Sequence, residues 1–231
     1  MPRRCSCGGP RSFCAGTGIR QRTSAAYSPD GETLAVGDQD GSIYLWDVAT
    51  GHQVATLVTP GSKNSVYGVE FSPNGQSLAI ADVDGSTYLW DVASQSRIAT
   101  LADPSSSAVY AVAFSPNGKL IATGDQDGST CLWDVATGHR VATLRIPGSD
   151  NTVSSVAFSR NGKLLATGDQ DGSTYLWDVA TGHRVATLTE GRANSSVSSV
   201  AFSPNGKLLA IANQDGATSL WSITVGRSRG P

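Results

Sequence analysis

Five tryptophans recur along this 231-residue chain at nearly constant spacing. They stand at Trp46, Trp90, Trp133, Trp177 and Trp221, separated by 44, 43, 44 and 44 residues. The surrounding sequence repeats as well, because residues 119–144 and 163–188 differ at only two of 26 positions. A repeat of this length is one supersecondary unit that buries its apolar surface against its neighbours. The period therefore constrains the fold more than any other feature.

Each repeat predicts four short β-strands separated by tight turns. In the third repeat the strands are predicted at residues 109–114, 120–124, 129–135 and 139–144, with Asn-Gly, Asp-Gly and Thr-Gly pairs in the turns. Four antiparallel strands repeated every ~44 residues predict an all-β propeller of five four-stranded blades. We expect the blades at about residues 22–57, 66–101, 109–144, 153–188 and 197–225, within a propeller domain of residues 22–225. Residues 1–21 are predicted to be a poorly ordered N-terminal tail, and residues 226–231 a C-terminal tail.

Short motifs in these repeats resemble those of a known family. Leu-Trp-Asp triplets at 45–47, 89–91, 132–134 and 176–178, preceded by Phe-Ser-Pro-Asn-Gly or a variant of it, resemble the WD-repeat family in an array of the bacterial kind. The resemblance covers about residues 22–225. It implies that each blade is braced by a hydrogen-bonded tetrad of His, Ser or Thr, Asp and Trp. The aspartates that match the tetrad position are Asp40, Asp84, Asp127, Asp171 and Asp215.

This sequence departs from the tetrad at two positions. A hydroxyl on the second strand occurs only at Thr123 and Thr167, and the histidine that should precede the inner strand is missing. The Gly-His pairs at 51–52, 138–139 and 182–183 follow Trp-Asp and are interpreted as turn features. We therefore expect the five tryptophans and the tetrad aspartates to form the structural core, and stability to depend mainly on aromatic packing between blades.

The two ends of the array predict an imperfectly closed ring. The fifth repeat lacks the Val-Ala-Thr-Leu outer strand of earlier repeats, and the cysteine- and glycine-rich N-terminal segment lacks the alternation needed to replace it. Arg22 stands where the later repeats have Val66, Val109, Val153 and Val197. Both a small closed ring and an open arc fit these features, and the unpaired edges of an arc would favour self-association.

The predicted turns divide the charged residues between two faces. The first carries Asp38, Asp82, Asp125 and Asp169, which we predict as a partner-binding face, beside the tetrad aspartates. The second carries Lys119, Lys163, Lys207, Arg140 and Arg184, so the two faces are expected to be opposite in sign. We expect the acidic face to attract a basic segment of a protein partner. For any single aspartate, the simpler interpretation is that it shapes a hairpin turn.

Composition and motifs argue against other functional classes. A net charge of −2 provides no basic field for nucleic acid, and no apolar run is long enough to span a membrane. The inner strands carry a single carboxylate, Glu70, whereas a five-blade carbohydrate-active enzyme would need two. The Asp-x-Asp-Gly turns lack the bidentate Glu of a calcium loop. No catalytic residue, cofactor or metal site is predicted.

We predict a non-catalytic, cytoplasmic scaffold for protein–protein interaction. The four cysteines fit a reducing compartment, because Cys5, Cys7 and Cys14 lack metal-site spacing and Cys131 stands where the next repeat has Tyr175. The alternative is a sensor or regulatory fragment of a larger bacterial signalling protein, such as a Ser/Thr kinase array.

Overall fold

The computed structural model describes residues 24–60, 65–102, 108–147, 151–189 and 195–223. Every secondary-structure element assigned within these residues is a β-strand. The predicted tails at 1–21 and 226–231, together with Cys5, Cys7, Cys14 and Arg22, lie outside the described residues.

The strands form five antiparallel sheets, one for each repeat, and neighbours in each sheet follow chain order. Blade 1 contains β1 (Ala25–Tyr27), β2 (Thr33–Gly37), β3 (Ser42–Asp47) and β4 (Gln53–Val58). Blade 2 contains β5 (Val66–Phe71), β6 (Ser77–Asp82), β7 (Ser86–Asp91) and β8 (Ser96–Ala102). Blade 3 contains β9 (Val109–Phe114), β10 (Leu120–Asp125), β11 (Ser129–Asp134) and β12 (Arg140–Arg145). Blade 4 contains β13 (Val153–Phe158), β14 (Leu164–Asp169), β15 (Ser173–Asp178) and β16 (Arg184–Thr189), and blade 5 contains β17 (Val197–Phe202), β18 (Leu208–Asn213) and β19 (Thr218–Ser222).

The strand boundaries agree with the sequence pattern. In the third repeat every predicted strand lies within one residue of its observed boundaries. The Asn-Gly and Asp-Gly turns form as expected, with positive φ angles of 68° at Gly118 and 82° at Gly128. The expectation of five four-stranded blades holds for blades 1 to 4. Blade 5 has three strands within the described residues, because no outer-strand segment follows Trp221 before residue 224.

Neighbouring blades meet through two kinds of side-chain row, each formed by directly opposed residues on the first three strands of a blade. The trailing face, toward the preceding blade, carries an aromatic row: Tyr27-Leu34-Trp46, Phe71-Leu78-Trp90, Phe114-Ile121-Trp133, Phe158-Leu165-Trp177 and Phe202-Leu209-Trp221. The leading face, toward the next blade, carries an aliphatic row: Ala26-Ala35-Leu45, Ala113-Ala122-Leu132, Ala157-Ala166-Leu176, Ala201-Ala210-Leu220 and, with one carboxylate, Glu70-Ala79-Leu89.

At each of the four junctions the aliphatic row of one blade packs on the aromatic row of the next. The central members of the aromatic rows in blades 2 to 5, for example Leu165, are fully buried. Trp133 and Trp177 are buried, whereas Trp46, Trp90 and Trp221 are half-buried. The core therefore lies between the blades, because a single sheet cannot cover either of its own faces.

Two tryptophans are braced by the hydroxyls that the sequence singled out. Trp133 Nε1 donates to Thr123 Oγ1 at 3.2 Å, and Trp177 Nε1 donates to Thr167 Oγ1 at 3.0 Å. In blade 2 the equivalent strand position is Ile80, and the buried Nε1 of Trp90 has no hydrogen-bond partner. The second strand therefore supplies the bracing hydroxyl in blades 3 and 4, whereas Trp221 Nε1 donates to Ser219 Oγ of its own strand at 3.1 Å.

The five blades do not close into a ring. Inner strands pack on one another in chain order, β1 on β5, β5 on β9, β9 on β13 and β13 on β17. No comparable packing joins β17 to β1 within the described part of the chain. The leading face of blade 5 and the trailing face of blade 1 are therefore covered by no described blade.

Candidate protein-interaction surface

One rim of the propeller is built from the Asp-x-Asp-Gly turns between the second and third strands. We call this surface the acidic rim and define it by residues 38–41, 82–85, 125–128, 169–172 and 213–216. The sequence predicted partner-binding aspartates here at the first position of each turn and structural aspartates at the third. The structure places the two sets differently.

The first aspartates of the turns are largely buried. Asp82, Asp125 and Asp169 are 0%, 1% and 2% exposed, and Asp38 is half-buried. Each buried carboxyl ends its second strand, where the following residue is tied to the start of the inner strand of the same blade: the N–H of Gln170, for instance, donates to the carbonyl of Thr152. These three residues therefore cannot form the partner-contacting surface that was predicted for them. The signal that could have revealed this is Asn213, an uncharged isostere at the same position in repeat five.

Burial also changes the chemistry of these carboxyls. Burial, with a contribution from the nearby charge of Asp171, raises the pKa of Asp169 to about 8. Burial likewise raises the pKa of Asp82 above its usual range. A carboxyl with a pKa near 8 is largely protonated at neutral pH, so Asp169 contributes little negative charge to the rim.

The third-position aspartates, expected in the structural core, lie at the surface. Asp40, Asp84, Asp171 and Asp215 are exposed and Asp127 is half-buried. In every blade the Oδ1 atom accepts a hydrogen bond from the backbone N–H two residues later, at distances of 2.8 to 3.0 Å. This geometry is an Asx turn, and it holds each carboxylate at the same place on its blade.

The second carboxylate oxygen is held in three blades by a residue that the sequence argument did not identify. The Tyr88 hydroxyl donates to Asp84 Oδ2, and the Tyr175 hydroxyl donates to Asp171 Oδ2 at 3.4 Å. In blade 3 Cys131 replaces this tyrosine, and Arg145 contacts Asp127 instead, with Nη1 at 3.4 Å from Oδ2. The signal in the sequence is the tyrosine four residues after the aspartate, which is absent only where the arginine compensates or in blade 5.

The rim is also tied from blade to blade. A hydroxyl that precedes the next inner strand donates to the carbonyl inside the turn, as Ser65 does to Gln39 at 3.3 Å, Thr152 to Gln126 at 3.2 Å and Ser196 to Gln170 at 2.8 Å. These bonds connect the acidic turn of one blade to the sheet of the next. Arg145, on the outer strand of blade 3, brings a cationic side chain to this rim by pairing with Asp127.

The opposite rim, for which the sequence predicted the opposite sign, carries charged side chains of both signs. Lys119, Lys163 and Lys207 are exposed there, but the aspartates of the Trp-Asp pairs lie beside them, because the N–H of Val135 donates to the carbonyl of Lys119. Hydrogen bonds from the Thr or Ser three residues later lower the pKa of Asp47, Asp91, Asp134 and Asp178, so these carboxyls are charged. The Arg184 guanidinium lies over the Tyr175 ring, and Arg140 Nη1 lies 3.9 Å from Cys131 Sγ.

The histidines and Cys131, which the sequence analysis also considered, can be located in the structure. The three histidines are exposed in separate turns, and no group of three His, Cys, Asp or Glu residues arranged for a metal occurs in the described residues. Cys131 carries a thiol that is fully buried in the junction between blades 2 and 3. It replaces a strand residue there, in agreement with the repeat alignment.

A cavity of about 530 Å³ lies along the axis, lined by residues from all five inner strands or the turns beside them. Tyr67 and Tyr110 stack on one side of it with ring centroids 4.6 Å apart, and Ser154, Ser198 and Gln214 line the other. Glu70 lies instead between blades 2 and 3, where its Oε2 accepts the N–H of Phe114 at 3.1 Å and burial raises its pKa to about 7. The carboxylate considered for glycoside chemistry thus belongs to a blade junction.

The sequence was compared with models of known protein families. Residues 21–229 match the family model described as the IFT122 first beta-propeller. The chain belongs to the IFT122 first beta-propeller family. Its repeats are of the WD type, and WD-type propellers are a class of protein–protein interaction scaffold that is typically non-enzymatic. A search of curated proteins returned no match. In the described residues of this family member, no helix has the length and hydropathy needed to cross a membrane.

Proposed function

We propose that this WD-type propeller is a non-catalytic scaffold that binds a basic segment of a protein partner on its acidic rim. The observation that carries the proposal is one outward-facing carboxylate, held by the same Asx turn, in five successive blades. Like charges at regular positions produce a field that steers an oppositely charged segment and sets its register. The proposal assigns this role to the third-position aspartates, Asp84 and Asp171 among them.

The rim is suited to binding because its carboxylates are positioned before a partner arrives. Oδ1 is used by the turn, and Oδ2 of Asp84 is oriented by the Tyr88 hydroxyl. The hydroxyl bonds from Ser65, Thr152 and Ser196 hold successive turns relative to one another. Groups that are already ordered lose less conformational entropy on binding.

A charge-removal experiment tests the rim. The double variant Asp84→Asn, Asp171→Asn removes two charges but keeps an oxygen to accept the Ser86 and Ser173 N–H groups. We expect it to bind a fluorescent oligolysine peptide about fivefold more weakly at low salt, since exposed ion pairs contribute about 0.2–1 kcal/mol each. The dependence of the Kd on salt concentration should also become shallower.

The matched control is Asp91→Asn, Asp178→Asn, which removes two capping carboxylates from the opposite rim. We expect its Kd to stay within twofold of the wild-type value. Equal weakening in both double variants, or no change in the first, would remove the acidic rim from consideration.

The finer parts of the proposal rest on composition. A protein partner, rather than nucleic acid or a membrane, is supported by the net charge of −2 and the acidic sign of the rim. A cytoplasmic location is supported by Cys131, which keeps a buried thiol rather than a disulfide. The bacterial character of the array and a role as a regulatory fragment of a signalling protein stay predictions from the sequence. Self-association through uncovered blade surfaces is the second binding mode.

A further inference from the structure

The two end blades leave apolar rows uncovered that are buried at every internal junction. Leu220, on the leading face of blade 5, is 68% exposed, whereas its equivalents Leu45, Leu89, Leu132 and Leu176 are 1–4% exposed. Ala201 beside it is exposed, while Ala166 and Ala122 in earlier aliphatic rows are fully buried. Blade 5 therefore presents a complete aliphatic row with no described blade against it.

Blade 1 presents the other half of a junction. Tyr27, on its trailing face, is 59% exposed, whereas its equivalents Phe71 and Phe114 are 5% exposed. Leu34 and Trp46, which complete this aromatic row, are half-buried, although the central residue of the row is fully buried in each of the other four blades. The uncovered row has the same residue types as the rows that pack on blades 1 to 4.

We propose that the leading face of blade 5 binds the trailing face of blade 1 of a second copy of this chain. The internal junctions supply the argument, because an aliphatic row meets an aromatic row at each of them, and the two uncovered faces carry one row of each kind. Each uncovered face is therefore complementary to the other uncovered face of a second copy. The inference rests on the proposed function only in taking this propeller to be a binding protein, and it uses surfaces separate from the acidic rim.

A polar contact recurs at two junctions and fits the same pairing. The N–H of Val69 donates to Ser24 Oγ across the junction of blades 1 and 2, and the N–H of Val200 donates to Ser155 Oγ across that of blades 4 and 5, both at 3.0 Å. Ser199 is the blade 5 equivalent of Ser24 and Ser155 and is exposed, while Ala25 is the blade 1 equivalent of Val69. In the assembly, the N–H of Ala25 in one copy would donate to Ser199 Oγ of the other.

The symmetry of such an assembly follows from the use of two different faces. A head-to-tail contact continues until the rotation between copies closes a ring, and otherwise extends into a filament. The mass of the particle in solution must therefore be a multiple of the chain mass and must depend on protein concentration. A face-to-face dimer of two blade 5 surfaces would pair two aliphatic rows and leave both aromatic rows uncovered.

The first experiment measures the mass of the full chain by analytical ultracentrifugation over a hundredfold concentration range. We expect the wild type to associate and Leu220→Glu to weaken association at least tenfold. Val185→Glu is the matched control, because Val185 is 54% exposed on the outer strand β16 and lies on neither end face. We expect this variant to associate like the wild type. A wild-type chain that is monomeric throughout, or equal behaviour of the two variants, overturns the proposal.

The second experiment identifies the occupant. Cysteine is introduced as Tyr27→Cys in one sample and Leu220→Cys in another, with Cys5, Cys7 and Cys14 changed to Ser. A short bismaleimide should join the two chains only when the samples are mixed. A double variant that forms an internal crosslink when dilute would show that blade 5 meets blade 1 of its own chain. Protection of both cysteines in a monomer would show that another part of the same chain covers them. Either result overturns the inference.

These outcomes are separable from those of the rim experiment. Leu220→Glu should leave the Kd for the oligolysine peptide within twofold of the wild-type value. The Asp84→Asn, Asp171→Asn variant should associate as the wild type does. Loss of one behaviour without the other therefore identifies which proposal fails.

Discussion

Trp177 and Thr167 form a buried hydrogen bond of 3.0 Å between neighbouring strands of blade 4, with the indole N–H as donor. The bond lies inside the aromatic row that packs on blade 3, so water cannot replace it. It exists in blades 3 and 4, where the second strand carries threonine, and is lost in blade 2, where Ile80 leaves the Trp90 N–H unpaired. This difference between equivalent positions allows the bond to be tested in both directions.

Thr167→Val should destabilise the protein. Valine has nearly the same shape, but it leaves the Trp177 N–H buried without an acceptor, and an unsatisfied buried group costs about 1–3 kcal/mol. Urea denaturation should show the midpoint falling at unchanged m-value. The adjoining substitution Thr187→Val, on the exposed part of the outer strand, should change the midpoint little. Equal shifts for the two variants would contradict a specific brace.

Ile80→Thr should be more stable than Ile80→Val. The two variants remove similar volume, but only threonine offers an oxygen to the Trp90 N–H, which has no partner at present. Burying an additional hydroxyl usually destabilises a core, so threonine would ordinarily be the less stable of the two variants. Here we expect the opposite order of stability. An advantage of about 1 kcal/mol corresponds to about 2–4 °C in Tm for a domain of this size. A lower Tm for the threonine variant would show that the hydroxyl does not reach the indole.

Leu176→Ala and Leu220→Ala should differ in effect although the two leucines occupy the same repeat position. Leu176 is buried against blade 5, and truncation of a buried leucine costs about 2–5 kcal/mol. Leu220 is exposed, and its truncation should cost less than about 0.5 kcal/mol in a dilute sample. Thermal unfolding at low protein concentration measures both. Similar losses would mean that blade 5 is covered within the single chain.

Asp169→Asn should flatten the pH dependence of stability. Burial raises the pKa of Asp169 from 3.8 to about 8, so the folded chain holds a proton there that the unfolded chain releases above about pH 4. The free energy of unfolding should therefore fall as pH rises from about 4 to about 8, by at most about 1.4 kcal/mol per pH unit for this group. Asparagine has no proton to lose, and Asn213 already occupies the equivalent position.

Denaturation curves at intervals between pH 4 and pH 9 check this prediction. The free energy of unfolding of the variant should rise relative to that of the wild type toward alkaline pH, and the two values should converge near pH 4. Asp171→Asn on the exposed side of the same turn is the control, and we expect a smaller change in slope. Parallel curves for Asp169→Asn and the wild type would mean that the carboxyl is charged when folded.

Many local features could be predicted from sequence because each depends on residues close together in the chain. The 44-residue period, the Asn-Gly and Asp-Gly turns and the hydroxyls of Thr123 and Thr167 led to the correct strands, the correct fold class and the two braced tryptophans. The difference of blade 5, which has three strands within the described residues, was also visible, since nothing after Trp221 repeats the Val-Ala-Thr-Leu pattern. Hairpin registers follow from turn chemistry and strand alternation, and both can be read along a single strand.

Which side of a sheet another sheet covers was decided only by the tertiary structure. Asp125 and Asp127 are two residues apart in one turn, and sequence alone favoured the first as the exposed one, yet it is the first that is buried in the folded chain. Likewise Leu176 and Leu220 occupy the same position of the repeat and are opposite in exposure. The repeat determines what each blade looks like, whereas solvent exposure depends on the blade beside it, which lies about one full period away along the chain. That is why the end faces and the acidic rim could be located only after the blades were packed together.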